Sequence, residues 1–148
     1  MHVLIAHRGN THGPNPEREN SPLYIDEAIA AGFDVEVDVW VDRGRIALGH
    51  DYMQYDIQET FLFERAGRLW CHAKNLEALV FLTKNSLHTF SHDNDDYILT
   101  SKGVIWAFPG RPVGPDVVCV MPERAAYTDA ELKNCLGICS DFVAHIVF

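Results

Sequence analysis

Residues 34 to 41 read Asp-Val-Glu-Val-Asp-Val-Trp-Val, and this alternation of polar and apolar side chains predicts a β-strand. Side chains of a strand point to the same face at every second position, so Glu36 and Asp38 share one face. Two adjacent carboxylates repel each other unless a cation or a shared proton lies between them. The stretch therefore predicts a strand that carries a candidate metal or proton site.

Other polar residues follow apolar runs on either side of this strand. Val3–Ala6 leads into His7-Arg8, and Ile46–Leu48 leads, after one glycine, into His50-Asp51. In barrels of parallel strands, catalytic side chains come from the carboxyl ends of strands and from the loops that follow. A single histidine is more often structural than functional. Two histidines, two carboxylates and an arginine placed at strand ends together indicate an active site.

Four short motifs in this order carry a family resemblance. They are His7-Arg8-Gly9, Glu19-Asn20-Ser21, Glu36-Val-Asp38 and His50-Asp51. The pattern resembles the glycerophosphodiester phosphodiesterases, a group within the phospholipase-C-like phosphodiesterase barrels. Three later stretches are typical of a small branch of these barrels and extend the resemblance over nearly the whole chain: residues 94–96, 100–106 and 119–123.

The resemblance implies a phosphodiester hydrolase with a divalent metal, Mg²⁺ or Ca²⁺. Glu36 and Asp38 would bind the metal, and His7 and His50 would transfer protons as general acid and base. Arg8 would contact the phosphate. Supporting roles fall to Glu19, Asn20 and Asp51. These residue types suit the chemistry, because an oxygen-bound cation neutralises phosphate charge and histidine titrates near neutral pH.

The chain departs from the family pattern at the next strand. Relatives have a third carboxylate in a Glu-x-Lys motif, whereas this chain has His72-Ala-Lys74. Lys74 matches the lysine that contacts phosphate in the family. Imidazole favours Mn²⁺ or another transition metal over Mg²⁺ or Ca²⁺, so the metal differs, the site is weaker, or no metal binds. A structural role for His72 stays open, and His92, at the end of another predicted strand, could face the same mouth.

The expected fold class is α/β, a compact TIM-type (βα)8 barrel in one domain over residues 1–148. Eight segments have strand character, and eight strands close a barrel. The strands are predicted over residues 3–7, 34–41, 46–49, 69–73, 89–92, 103–108, 117–121 and 137–141. Such a barrel typically takes ~250 residues, so several outer helices are expected to be shortened or missing.

Three helices have clear capping signals. They are predicted over Pro22–Ala31, over Leu76–Lys84 and from the Thr128 cap to Cys135, with Ser21 and Asn75 capping the first two. The connection Asp42-Arg-Gly-Arg45 is too short for a crossover helix. It suits an antiparallel hairpin, whereas the family resemblance favours an extended parallel return.

Composition restricts the partners. The formal net charge is −9, with 21 acidic and 12 basic residues, which disfavours nonspecific binding to nucleic acid or anionic membranes. The sequence has neither an apolar run that could span a membrane nor a signal-peptide pattern, so a cytoplasmic location is expected. Apolar barrel surface left by missing helices could be covered in a homodimer.

Three functional hypotheses follow. The first is a metal-dependent hydrolase of a glycerophosphodiester-like or other small phosphodiester, acting through water or through the substrate's own hydroxyl. The second is a degenerate, non-catalytic barrel that binds a phosphorylated small molecule, which the replacement of the third carboxylate by His72 favours. The third is a metal site for other hydrolysis, with ligands drawn from the histidines at positions 7, 50, 72 and 92.

Overall fold

The computed structural model describes residues 2–148, and within them a curled, mixed sheet of ten strands forms the centre of the fold. The strands are β1 (Val3–His7), β2 (Asp34–Asp42), β3 (Arg45–Leu48), β4 (Tyr55–Ile57), β5 (Leu69–Ala73), β6 (Thr89–Phe90), β7 (Tyr97–Leu99), β8 (Ile105–Ala107), β9 (Val117–Val120) and β10 (Gly137–Ser140). The helices are α1 (Pro22–Ala30), α2 (Glu59–Glu64), α3 (Leu76–Lys84) and α4 (Asp129–Lys133). Two 3₁₀ turns cover Pro122–Arg124 and Val143–His145.

The strand order is β4-β3-β2-β1-β10-β9-β8-β7, and β5 also pairs with β2 and carries β6 on its other side. Strands β6, β5, β2, β1, β10, β9 and β8 form a parallel run, whereas β3, β4 and β7 are antiparallel to their neighbours. The sheet curls so far that the rings of Phe90 in β6 and Trp106 in β8 lie 4.6 Å apart between centroids. It therefore forms a half-barrel with an inner and an outer face.

The alternation in β2 divides the core between these faces. Val35, Val37 and Val39 lie in the outer core, together with Ile25 of α1 and Leu82 of α3. A second apolar cluster on the inner face contains side chains from six strands: Ile5, Trp70, Phe90, Trp106, Val118, Val120 and Cys139. Helix α4 packs through Leu132 against a third, smaller cluster of Cys119, Cys135 and Ile138, and the inner face is filled by the sheet's own side chains.

The expected α/β fold, a TIM-type (βα)8 barrel with shortened outer helices, is wrong, and so is the expected phospholipase-C-like barrel. A (βα)8 barrel repeats a strand and a crossover helix and has only parallel strands. Here only four of the nine connections between strands contain an α-helix, and three strands are antiparallel within residues 2–148. Short connections bring each of these three strands back beside its predecessor or successor. The chain forms a mostly β half-barrel.

The sequence predicted the individual strands and helices more accurately than it predicted the fold class. All eight predicted strands are present with modest changes at their ends, and the three predicted helices begin at their predicted caps. Ser21 and Asn75 accept hydrogen bonds from backbone N–H groups of α1 and α3, and Thr128 forms a capping box with Glu131. The short elements β4, β7 and α2 were not predicted, because three to six residues give too little periodicity.

The connection after β2 is an antiparallel hairpin, so the extended parallel return is wrong. Asp42 pairs with Arg45, which leaves Arg43 and Gly44 as a two-residue turn. Both have positive φ, 50° and 79°. This combination is the signature of a type I′ turn, whose twist matches that of the flanking strands.

None of the helices in residues 2–148 is long and apolar enough to cross a membrane.

Replacing Gly44 with Ala should lower the free energy of unfolding by about 1 kcal/mol, because a Cβ atom strains a residue with positive φ. No atom lies within 4 Å of the position a Cβ would take, so the effect should be purely conformational. Gly67 has equally open surroundings and lacks a positive φ, which makes Gly67→Ala a matched control. Urea unfolding measures both variants, and equal losses at the two positions would contradict the turn assignment.

Candidate metal centre

Glu36 and Asp38 of β2 meet His72 of β5 on the inner face of the sheet. The parallel register sets Asp38 opposite His72, and the three side chains are buried. One ligand atom from each lies within 4.8 Å of the other two. The Nδ1 atom of His72 is 3.0 Å from Oδ1 of Asp38 and 3.9 Å from Oε1 of Glu36. The geometry makes these residues a candidate metal-binding triad.

His7 lies beside this triad at the end of β1, opposite Glu36 in the register. Its Nδ1 atom is 2.7 Å from Oδ1 of Asp141, and its Nε2 atom is 3.9 Å from Oε2 of Glu36. An ionised Asp141 can only accept, so neutral His7 carries its proton on Nδ1 and presents an unprotonated Nε2 to the triad. This arrangement gives His7 the form of a general base.

Asp141 was not among the residues predicted from the sequence. It accepts a 2.9 Å hydrogen bond from Nδ2 of Asn10, and its backbone N–H donates to Glu123 over 3.0 Å. Burial would raise the pKa of Asp141, but the hydrogen bond and charge of His7 outweigh burial and lower it. Asp141 directly follows β10. The expectation that functional side chains follow the carboxyl ends of strands, which selected His7 and His50, therefore also applies to Asp141.

Asn20 holds Asp38 in place from the loop before α1. Its Nδ2 atom donates to Oδ2 of Asp38 over 2.8 Å, and its Oδ1 atom accepts the backbone N–H of Asp38 over 2.9 Å. Asn20 has a φ of 64°, a conformation that asparagine tolerates better than most residues. Asn20, for which the sequence predicts a supporting role, thus contacts both the side chain and the backbone of Asp38.

The basic residues contact the same carboxylates. Nε of Arg8 is 3.2 Å from Oδ2 of Asp38, and its Nη1 atom is 3.3 Å from Oε2 of Glu19. Nζ of Lys74 is 3.8 Å from Oδ1 of Asp38. Glu19 also accepts from Asn10 over 2.9 Å. Arg8 and Lys74 thus place positive charge next to the triad, and Glu19 orients Arg8.

His50 and His92 approach from loops. The Nδ1 atom of His50 is 2.8 Å from Oδ1 of Asp51, and the side chain is 43% exposed, so His50 is freer to move than His7. The ring of His92 stacks on that of His72 with 4.8 Å between centroids. Burial, followed by the charge of His72, lowers the pKa of His92, which favours its neutral form.

These groups line one small cavity of about 60 Å³. It is lined by His7, Arg8, Glu36, Asp38, His50, His72 and His92, together with Phe90, Trp106, Phe108 and Val120. Two wider clefts adjoin it. One, of about 490 Å³, shares His72 and His92 with the cavity and contains Lys74. The other, of about 320 Å³, shares Arg8 and His50 and contains Glu19, Asn20 and Asp51. All the predicted site residues therefore lie at the cavity or at its two adjoining clefts.

The pKa values of the two carboxylates of β2 are shifted in opposite directions. Burial, and then the charge of Asp38, raises the pKa of Glu36 well above its usual range, and Arg8 offsets only part of this. Burial also acts on Asp38, but the hydrogen bond from His72 and the charge of Arg8 prevail and lower its pKa. A cation between the two would remove the repulsion that Glu36 experiences.

Comparisons with protein-family models, curated proteins and solved structures give no match to this chain. The resemblance to glycerophosphodiester phosphodiesterases therefore stays a prediction, and the chemistry of the site has to be argued from its own residues.

Replacing Glu36 with Gln should raise the free energy of unfolding of the metal-free protein at neutral pH. The pKa of Glu36 is higher in the folded chain, so the ionised carboxylate destabilises the fold. This penalty is absent below the usual glutamate pKa of about 4.3, grows as the pH rises from there to the folded-state pKa, and is constant above it. Urea unfolding with a chelator over a range of pH measures the difference.

The exposed Glu64 provides the control. Glu64→Gln should change stability by no more than about 0.5 kcal/mol at any pH. If Glu36→Gln and the wild-type protein showed the same dependence of stability on pH, the raised pKa of Glu36 would be wrong.

Proposed function

We propose that this protein is a metal-dependent phosphodiesterase that acts on a small phosphodiester, with glycerophosphodiesters as the first class to test. The observation that carries the proposal is that the triad Glu36, Asp38 and His72 shares a cavity with two further histidines, His7 and His50, and with Arg8. A phosphodiesterase needs a cation, a base, an acid and positive charge at one point. The cavity offers residues suited to each role.

The donor set fits a divalent metal. Ligand atoms about 2.1 Å from one ion are separated by about 3 Å when the geometry is octahedral. Nδ1 of His72 is 3.0 Å from Oδ1 of Asp38 and 3.9 Å from Oε1 of Glu36, and a metal bound through Nδ1 would replace the hydrogen bond between His72 and Asp38. One imidazole and two carboxylates favour Mn²⁺, Fe²⁺ or Zn²⁺ more than an all-oxygen set does. When bound, the metal would neutralise phosphate charge and polarise the phosphoryl oxygen.

In the proposed mechanism, His7 and His50 divide the proton transfers. Nε2 of His7 takes the proton of the attacking hydroxyl, and Asp141 stabilises the resulting imidazolium across its 2.7 Å contact. His50, next to Asp51, protonates the leaving alkoxide. The attacking group is water or a neighbouring hydroxyl of the substrate, which gives a monoester or a cyclic phosphate respectively.

This site has local positive charge although the chain as a whole is acidic. The chain has a net charge of −9, so its overall field repels phosphates. Arg8 and Lys74, whose side chains are 20% and 16% exposed, provide local positive charge beside the cavity. They would share the charge of the phosphate with the metal.

A second candidate function is supported by the contacts of Asp38. Its carboxylate already contacts Asn20, Arg8, His72 and Lys74, so this half of the triad is satisfied without a metal. In that case the protein would be a binding module, in which Arg8 and Lys74 hold a phosphorylated small molecule that is not turned over.

Metal content separates the two candidates. Protein purified without chelator should contain near-stoichiometric metal by elemental analysis, and the double variant Glu36→Gln, Asp38→Asn should lose it. Because glutamate is a harder ligand than imidazole, His72→Glu should shift the preference towards Mg²⁺ or Ca²⁺. Glu64→Gln, at an exposed position, should bind metal as the wild type does. If the wild type binds none of Mn²⁺, Zn²⁺, Mg²⁺ or Ca²⁺, metal-dependent catalysis is excluded and the binding module is favoured.

Turnover tests the histidines. His7→Ala and His50→Ala should each lower kcat on bis(p-nitrophenyl) phosphate or glycerophosphocholine by about 10²- to 10⁴-fold, since each removes a proton-transfer group. Both histidine variants should bind as much metal as the wild type does. His2→Ala is the control, because His2 precedes β1 at the end of the strand remote from His7 and bonds to the Lys133 carbonyl.

Phosphorus NMR of the products distinguishes a monoester from a cyclic phosphate. Unchanged activity in both histidine variants, alongside turnover by the wild type, would contradict the proposed mechanism.

A further inference from the structure

Unpaired hydrogen-bonding groups are concentrated at the cavity. In residues 2–148, four buried side-chain nitrogen atoms have no hydrogen-bond partner: Nε of Arg8, Nε of Arg68, Nδ1 of His92 and Nε1 of Trp106. The two arginine atoms lie 3.2 and 3.1 Å from carboxylate oxygens, so they are charge-paired. The other two belong to His92 and Trp106, and both residues line the cavity. Folded proteins pair nearly all their buried polar groups, so two unpaired groups on residues that line one cavity indicate a missing partner.

The other tryptophans show that this fold normally pairs its indoles. Nε1 of Trp40 donates to the Gly49 carbonyl over 2.7 Å, and Nε1 of Trp70 donates to Asp34 over 3.0 Å. Trp106 is only 2% exposed, and its Nε1 atom has no acceptor in the protein. Its ring packs against Phe90, which holds the indole in place.

His92 is fixed in a similar way. Its ring lies between those of His72 and Phe108, with centroid distances of 4.8 and 4.4 Å. His92 follows β6 and Trp106 lies in β8, at the two ends of the parallel run, whereas Glu36 and Asp38 come from β2 within that run. His92, Trp106 and the carboxylates therefore line the cavity from different parts of the curl.

The chemistry of these groups restricts the ligand. An indole N–H is only a donor, and it stays uncharged at any relevant pH. The matching ligand group must supply acceptor lone pairs, and the adjacent Arg8 and Lys74 favour a negative charge on it. The non-bridging oxygens of a phosphodiester have lone pairs, a negative charge and no proton. A phosphate oxyanion meets all three conditions.

We infer that Trp106, through its indole N–H, and His92, through its ring nitrogen, bind the non-bridging oxygens of the substrate phosphate and hold it against the Glu36, Asp38 and His72 triad. The inference rests on the proposed function, because it names the residues that recognise the phosphate in that same site. Trp106 would be a binding residue that donates a directional hydrogen bond from an uncharged group, and Arg8 and Lys74 would supply the positive charge.

The indole signals in a proton–nitrogen NMR spectrum test this directly, with inorganic phosphate as the probe. The chain has three tryptophans, so three indole signals are expected, and Trp106→Phe identifies the one from Trp106. Phosphate added to the Zn²⁺- or Mg²⁺-loaded protein should shift the Trp106 signal saturably. The signals of Trp40 and Trp70, which already have acceptors, should move much less. Chloride at equal ionic strength is the control. An unmoved Trp106 signal at saturating phosphate would overturn the inference.

The Trp106→Phe variant gives a second test, because it keeps an aromatic ring and removes the N–H donor together with one ring of the indole. The Kd for phosphate should rise by about tenfold, the usual effect of losing one hydrogen bond to a charged group. The fold should lose less stability than Trp70→Phe does, because the cavity left by the smaller ring is offset by the removal of an unpaired buried group. Trp70→Phe is the matched control: it loses a paired indole, so it should be less stable and bind phosphate unchanged.

These readouts do not depend on turnover. If phosphate shifts the Trp106 signal but the wild type cleaves no diester, the phosphate contact stands and the protein is a binding module. If the wild type cleaves diesters but Trp106→Phe binds phosphate as tightly as the wild type, the proposed function stands and the inference is wrong. Failure of phosphate to bind at all would also overturn the inference.

Discussion

The repulsion between two buried carboxylates, Glu36 and Asp38, is the constraint on which the rest of the site depends. Neighbours on one face of a strand cannot both be ionised in an apolar interior without compensating groups. The structure surrounds Asp38 with Asn20, Arg8, His72 and Lys74, and leaves Glu36 with a strongly raised pKa. The compensation is therefore uneven, and Glu36 is the member that would gain most from a bound cation.

The curl of the sheet is what brings the compensating groups together. His7, His72 and Asp141 lie at or next to the carboxyl ends of β1, β5 and β10, and Asp38 lies near the end of the part of β2 that pairs with β5. Side chains at equivalent positions on the inner face of adjacent strands are close enough to contact each other, as the register of His7 with Glu36 and of Asp38 with His72 shows. A full ring of helices is not needed for this. The half-barrel obtains the same convergence from its parallel run, while hairpins complete the sheet.

The site has a charged side and an uncharged side. Arg8 and Lys74 provide strong but weakly directional attraction for an anion, and a metal bound by the triad would neutralise the carboxylates that oppose it. Trp106 and His92 add nitrogen atoms held in fixed rings without acceptors. A ligand that satisfies both sides must be negatively charged and rich in acceptor oxygens. This combination supports a phosphate group in the cavity more specifically than the triad alone does.

The sequence by itself determined the local structure: the strand alternation that puts Glu36 and Asp38 on one face, and the caps at Ser21, Asn75 and Thr128. These features depend on neighbours within a few residues, so a pattern reveals them. Only the tertiary structure decided the half-barrel class, the pairing of His7 with Asp141 134 positions away, and the unpaired indole of Trp106. Each depends on which distant strands become neighbours and on how tightly the sheet curls, and no local periodicity encodes that.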